Sequence, residues 1–228
     1  SMLAMNKHFT KIIASENDIN TPNWLTIRVN SSNNSNNLIF TPKHKIKYPI
    51  VVKPNFQGST LGLSIIDNKT QLSEAIKLSS LFSNEIIAEE YIKGRELTVG
   101  ILGNKVLEVV EIIPKSGFYD YESKYTKGKT NYISPAKIDK KTTSLIKLYA
   151  LKIYKALGCR HYARVDFILD EKNRLYLLEL NSLPGLSSTS LLPLSAKAAG
   201  LNFKKLLDTI INIALIDNDL ASNPPLNK

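Results

Sequence analysis

The segment LYLLELNSLPGLSSTS, residues 175–190, leaves an apolar run in an unusual way. The run carries one carboxylate, Glu179, and an amide, Asn181, follows two residues on. Pro184, Gly185 and a series of small hydroxyl residues come next. Upstream, ARVDFIL (163–169) carries Asp166, with DEKNR between the two runs. A hairpin with a two-residue turn at Lys172–Asn173 pairs residues whose numbers sum to 345, so Asp166 stands opposite Glu179. Directly opposed Cβ atoms sit about 4.5–5.5 Å apart, where like charges repel. Asn181 shares the face of Glu179 by strand alternation, and Arg164 shares that of Asp166. Two carboxylates and an amide oxygen form a hard-oxygen site of the kind Mg2+ uses with nucleotide phosphates. The competing reading is an Arg164–Glu179 ion pair on a solvated sheet face. A loop one residue longer would move the carboxylates to opposite faces. Spacing alone does not choose between the readings.

Two other segments bear on that choice. YPIVVKPNFQGSTLGLS puts Lys53 at a strand end before a Gly-Ser loop. Backbone N–H groups of such a loop suit phosphate oxygens, with the lysine as a point charge. The order of a P-loop is absent, because the lysine precedes the glycines. An ordinary β-turn explains this stretch equally well. IAEEYIKGRELTV adds Glu89, Glu90 and Glu96 around Gly94. These carboxylates could accept from an adenine amino group or a ribose hydroxyl, or could line a solvated edge.

The elements that must carry these groups are readable from periodicity. KHFTKIIAS (7–15) reads as a short helix, followed by an extended stretch around TPNWLTIRV. NSSNNSNN (30–37) reads as an exposed polar loop. YPIVVKP (48–54) is a β-branched strand, TQLSEAIKLSSLF (70–82) has helical spacing, and IIAEEYI returns to strand. ELTVGILGNKVLEVVEIIP forms a hairpin turning at Gly103–Asn104. DKKTTSLIKLYALKIYKALG (139–158) is the strongest helix, with Leu145, Leu148, Tyr149, Ile153 and Leu157 on one side and Gly158 beyond its end. The hairpin 163–181 and a helix over 203–216 complete the pattern, with DNDLASNPPLNK as a frayed tail. The class is α+β.

Composition narrows the function. The 228 residues, 43% hydrophobic, suffice for a substantial core. No apolar run is long enough to span a bilayer and no signal peptide opens the chain, so no membrane partner is expected. The single Cys159 excludes an internal disulfide and fits the reducing cytoplasm. The net charge of +10 invites a nucleic-acid reading. Yet the lysines are scattered, and abundant Lys, Asn and Ile are what an AT-rich coding sequence supplies. No nucleic-acid partner is therefore expected. Ser1 precedes Met2 and the chain opens almost directly on a helix, which suggests removed residues or a fragment of something longer.

Lys53-Pro, the Gly58–Ser59 loop, EEYIKGRE, FYDYESKY (118–125), ARVDF and LELNSLPGLSSTSL (178–191) occur in one order. Together they closely resemble the D-alanine–D-alanine ligases of the ATP-grasp superfamily, from about Met5 to about Leu215. The resemblance implies an ATP-grasp fold: a central subdomain over 1–91, a C-terminal subdomain over 92–217, antiparallel sheets clasping ATP, and a tail over 218–228. It places Lys7 and Lys53 on ATP phosphates, with Lys124 closing over them from a mobile loop, 118–132. Glu89, Glu90, Ile92 and Glu96 would hold adenine and ribose. Asp166, Glu179 and Asn181 would bind two Mg2+ ions, with Mn2+ as a substitute. Ser59 and Tyr125 would order the loop over the substrates. Arg164 and the Gly185 amide would stabilise an oxyanion, while Ser190 and the Leu191 amide would hold the second substrate's carboxylate.

The implied activity is ATP-dependent joining of two D-alanines through an acyl phosphate, for peptidoglycan precursors. The family also has an N-terminal domain that supplies an acidic residue for the first D-alanine. This chain begins where that domain should be ending, so its amino-acid site is expected to be incomplete. Other readings are a non-catalytic or truncated ATP-binding module, and a ligase making D-alanyl-D-lactate or D-alanyl-D-serine. Tyr125 favours the dipeptide. Homodimerisation is left open.

Overall fold

The computed structural model describes residues 2–30, 35–40, 46–58, 60–115, 126 and 128–222. Alternation along the strands builds its first sheet. Strands β1 (Trp24–Asn30), β2 (Ser35–Phe40), β3 (Ile50–Pro54), β4 (Ser64–Ile66) and β5 (Glu85–Glu90) lie antiparallel in the order β2-β1-β5-β3-β4. Ile27, Ile50, Val52, Ile86 and Ala88 face one way and bury against Ala75 and Ile76 of helix α3 (Leu72–Ser80). Val51, Lys53 and Glu89 therefore belong to the opposite face. A stretch expected as loop is partly strand. Asn30 ends β1 and Ser35–Asn37 open β2, whereas 31–34 lie outside the described residues. Ladder bonds run between backbones, so polar side chains do not prevent pairing along an edge.

The second sheet is also antiparallel, in the order β10-β9-β6-β7-β8. It contains β6 (Gly94–Leu102), β7 (Lys105–Pro114), β8 (Thr130–Ile133), β9 (Tyr162–Asp170) and β10 (Leu175–Asn181). The hairpin expected at Gly103–Asn104 joins β6 to β7, with Gly103 at φ 59°. Leu97, Val99, Ala163, Val165, Phe167, Leu177 and Leu180 form the main core with helix α4 (Lys140–Ala156). Asp139 caps α4 by accepting from the Thr142 backbone N–H, and Gly158 follows its end at φ 62°. Of the expected stripe of α4, Ile153 and Leu157 are buried and Leu145 and Tyr149 are partly buried against the same core, where Ile146, Ala150 and Tyr154 join them. Leu148 is 60% exposed. Ile146, Ala150 and Tyr154 each follow an expected position by one residue, about 100° around the axis, so packing on the sheet shifts the buried face toward them.

Four further helices complete the fold. Helices α1 (Met2–Met5) and α2 (Lys7–Glu16) precede β1 and pack on β10. Helices α5 (Leu191–Ala198) and α6 (Phe203–Ser222) follow β10. α6 runs past the expected end at 216, so 218–222 are helical rather than tail, and 223–228 lie outside the described residues. Neither α1 nor α5 was expected from periodicity. No helix among the described residues is long and apolar enough to cross a membrane.

Candidate active site

The β9–β10 hairpin places the acidic cluster by a route different from the one its spacing suggests. Its turn is not the two-residue Lys172–Asn173 type. The Asp170 N–H donates to Arg174 O and the Asn173 N–H to Asp170 O, with Asn173 at φ 56°. That three-residue loop pairs Leu177 with Phe167, one residue out of the expected register. A β-bulge between Leu177 and Glu179 then takes up one residue and sets Glu179 opposite Asp166. The bulge also turns consecutive Leu178 and Glu179 to one cavity. Asp166 is buried and tightly held. Arg164 donates Nε to Oδ1 and Nη2 to Oδ2, both at 2.9 Å. Thr98 of β6 donates to Oδ1 at 2.5 Å, and Asn181 Nδ2 to Oδ2 at 2.9 Å. Arg164 thus makes a bidentate pair with Asp166. Asn181 Nδ2 also lies 3.4 Å from Glu179 Oε1.

Helix α2 brings two lysines to the other side. Its buried stripe is Lys7, Thr10, Lys11 and Ala14, an i, i+3, i+4, i+7 pattern. Asn6 caps the helix by accepting from Phe9 N, and buried Asn55 donates from Nδ2 to the same Asn6 oxygen. The turn after β3 is thereby tied to the start of α2. Lys7 Nζ donates to Gln57 O at 2.6 Å and lies 3.4 Å from Glu179 Oε2, bridging the two sheets. Burial pushes the Lys7 ammonium below its ordinary pKa, against the opposing pull of Glu179. Glu89 of β5 receives a lysine on each oxygen: Lys53 on Oε1, and Lys11 on Oε2 at 2.8 Å. Burial alone would raise the Glu89 carboxyl, but the Lys11 and Lys53 ammoniums outweigh it and hold it low.

A cavity of about 430 Å3 lies between the sheets. Lys7, Lys53, Glu89, Glu90, Ile92, Glu96, Arg164, Asp166 and Glu179 line it, together with Gly58. Glu90 accepts from Asn23 Nδ2 at 3.1 Å and from the Lys47 N–H at 3.4 Å. A second cavity, about 580 Å3, is lined by Asn181, Gly185, Ser190 and Leu191. Lys7, Gln57, Gly58, Arg164 and Glu179 line both. Ser190 N-caps α5, and its Oγ accepts from the Ser187 N–H at 3.2 Å. A Cβ on Gly185 would stand 2.8 Å from that Oγ, so a larger residue there would require the Ser190 hydroxyl to rotate away. Ser59, Lys124 and Tyr125 lie outside the described residues. Of the expected mobile loop 118–132, residues 130–132 belong to β8, which pairs with β7.

The donor set suits a hard divalent cation. Among the described residues no cluster of three His, Cys, Asp or Glu residues could hold a metal. Asp166, Glu179 and Asn181 instead combine two carboxylates with an amide, and a half-turn of the Asn181 amide exchanges its nitrogen for oxygen. The residues present therefore fit magnesium and a phosphate chain, with Lys7 and Lys53 as counter-charges. Sequence reasoning missed Lys11, Thr98, Asn55 and Gln57. For Lys11 a signal existed, since it stands one turn after Lys7 on the stripe shared with Ala14.

Comparison with known proteins identifies the fold and the family. Residues 13–212 match the family described as D-ala D-ala ligase C-terminus. A D-alanine–D-alanine ligase of Carboxydothermus hydrogenoformans is 40% identical over 219 residues, covering 94% of this chain and 70% of the relative. One from Methylacidiphilum infernorum is 45% identical over 168 residues, covering 74% and 55%. Among solved structures, VanG D-Ala:D-Ser ligase from Enterococcus faecalis aligns with a TM-score of 0.78 at 33% identity, covering 92% of this chain and 62% of that one. D-alanine–D-alanine ligase from Bacillus anthracis complexed with ATP aligns with a TM-score of 0.76 at 31% identity, covering 95% and 66%. The chain thus spans between 55% and 70% of the length of the two sequence relatives. With two antiparallel sheets around a shared cavity, and a family match over most of its length, this chain has the ATP-grasp fold and belongs to the D-alanine–D-alanine ligase family.

Proposed function

We propose that this chain carries the nucleotide and phosphoryl-transfer part of an ATP-dependent ligase that joins two D-alanines. The observation that supports it most is the meeting of two cavities at one charged wall. The first offers lysines and carboxylates, and the second offers a glycine loop and a helix start. Residues 1–91 and 92–217 act as its two jaws. Glu89, Glu90, Ile92 and Glu96 hold adenine and ribose, while Lys7 and Lys53 meet the phosphates, with Lys124 and Ser59 completing the enclosure. Asp166, Glu179 and Asn181 hold two magnesium ions, or manganese in their place. Bound metal offsets charge on the transferring phosphoryl group.

The γ-phosphoryl of ATP passes to a carboxylate oxygen of the first D-alanine, releasing ADP. The amine of the second attacks the acyl carbon, the new C–N bond forms, and inorganic phosphate leaves. Arg164 and the Gly185 N–H face the charge that develops on the carbonyl oxygen. Fixed by its bidentate bond to Asp166, the guanidinium needs no reorganisation at that moment. Ser190 and the Leu191 N–H receive the second substrate's carboxylate, since a helix start favours anions. Tyr125 helps to order the loop over both substrates. The reaction belongs in the cytoplasm, where the product enters cell-wall synthesis.

In an assembly that also supplies the acidic residue needed by the first D-alanine, phosphate release should depend on both ATP and D-alanine. It should be stronger with D-alanine as acceptor than with D-serine or D-lactate. Phosphate release from ATP that D-alanine does not stimulate would reduce the chain to a nucleotide-binding module. Preference for D-serine would assign it the activity in the name of its Enterococcus relative.

A further inference from the structure

Lys11 is fully buried, and it does not line the nucleotide cavity. A methionine or leucine would fill such a position without the cost of burying a charge. Its ammonium is nevertheless well held. It donates to Thr21 Oγ1 at 2.8 Å and to Pro22 O at 3.4 Å, and lies 5.6 Å from the centre of the Trp24 ring. Three charged groups face it: Glu89 from β5, Lys53 from β3, and Lys7 one turn earlier on α2. Only Glu89 attracts it, through Oε2 at 2.8 Å.

The arrangement has a consequence for Lys53. With Lys53 as its sole partner, a carboxylate buried as deeply as Glu89 could not release that lysine without standing unpaired, which is costly. A standing second ammonium removes this constraint. We propose that Lys11 is a positioning residue for the nucleotide site: it is the permanent counter-charge of Glu89, fixes that carboxylate from behind, and lets Lys53 turn to an incoming phosphate chain. The inference rests on the nucleotide reading of the cavity.

Its test measures the affinity of the chain for the non-hydrolysable analogue AMP-PNP with Mg2+. Lys11→Met should weaken binding at least tenfold at pH 7 while thermal unfolding still shows a cooperative fold. In a Glu89→Gln background, where no charge awaits compensation, adding Lys11→Met should change the affinity less than twofold. A purely structural lysine would give the same loss in both backgrounds. Burial pushes Lys11 down to about 8, so wild-type affinity should also fall through that pH, and this step should be missing from Lys11→Met. If Lys11→Met alone does not fold, the Glu89→Gln pair and the wild-type pH profile decide. Wild-type affinity in folded Lys11→Met, equal losses in both backgrounds, or no wild-type step near pH 8 would overturn the proposal. If the wild-type chain binds no nucleotide at all, the nucleotide reading itself falls, and this inference with it.

Discussion

Asp166 shows how little freedom the acidic cluster has at the scale of single residues. Arg164, Thr98 and Asn181 all donate to it, so its carboxylate can neither rotate nor leave the hairpin face. Removing one donor should matter for ligand binding more than for folding. A hydrogen bond to a charged group contributes about 1.5–3 kcal/mol, on the order of tenfold or more in an equilibrium. Thr98→Val, nearly the same in volume, should therefore weaken Mg2+-dependent AMP-PNP binding about tenfold, as read by calorimetry. Unchanged affinity would mean that Arg164 and Asn181 orient Asp166 unaided. Glu179 and Glu90 offer a second comparison. Glu179 lies with Asp166 and Asn181, whereas Glu90 is engaged by Asn23 and the Lys47 backbone. Glu179→Gln should weaken Mg2+-dependent binding more than Glu90→Gln, and equal effects would remove Glu179 from the metal site.

At the scale of elements, the β9–β10 hairpin depends on its turn. Asp170 accepts from the Lys172 and Arg174 N–H groups and from the Arg174 guanidinium. Its burial favours the neutral acid, yet these donors outweigh burial and hold the carboxyl below its usual pKa. A depressed folded-state value contributes stability that is present above the unfolded pKa and lost as pH falls through the folded one. Wild-type unfolding free energy should thus drop as pH falls below about 4, and part of that drop should vanish in Asp170→Asn. An unaltered acid profile in the variant would exclude Asp170 as a source. Two glycines separate conformational from steric demands. A Cβ on Gly158 meets nothing within 4 Å, so Gly158→Ala should cost only the left-handed backbone term, about 1 kcal/mol. A Cβ on Gly94 would stand 2.3 Å from Leu169 O, where β6 begins its antiparallel pairing with β9. Gly94→Ala should be the more destabilising of the two, because backbone must move, and denaturant titration of both variants ranks them.

Across the whole molecule, the two sheets meet through charged contacts: Lys7 reaches both Gln57 and Glu179, and Lys11 reaches Glu89. A ligand that fills the cavity between them should stabilise the entire fold by mass action. At one hundred times its Kd, AMP-PNP with Mg2+ should add about 2.7 kcal/mol to unfolding, seen as a concentration-dependent rise in Tm. The buried lysine makes stability depend on alkaline pH as well. Between about 8 and 10.5 the unfolded chain keeps a proton on Lys11 that the folded chain has released. Stability rises with pH wherever the unfolded state binds more protons. Unfolding free energy of the wild type relative to Lys11→Met should therefore increase across that window and stay level below it. A relative decrease there would mean that the Glu89 pairing dominates burial.

Local pattern by itself determined strands β1, β3, β5, β6, β7, β9 and β10, the long helix α4, the Gly103–Asn104 hairpin and the face shared by Glu179 and Asn181, but not β2, β4 or β8. The features it determined all follow from the periodicity of a single segment and its neighbours. The ordered series of motifs also revealed the family, because each carries a run of residue types that local structure does not require. Tertiary structure alone decided the rest. The carboxylates oppose one another because a bulge at Leu177–Glu179 offsets a three-residue turn, and neither shift has a signature in hydrophobic spacing. Likewise, the buried face of α4 was chosen by the sheet it covers. The helical stripe marks Lys11 as inward-facing, but its partner appears only when α2 packs on β10 and the ammonium reaches Glu89 of β5. Burial of an ammonium depends on a partner supplied by a distant strand, and only folding brings that partner within reach.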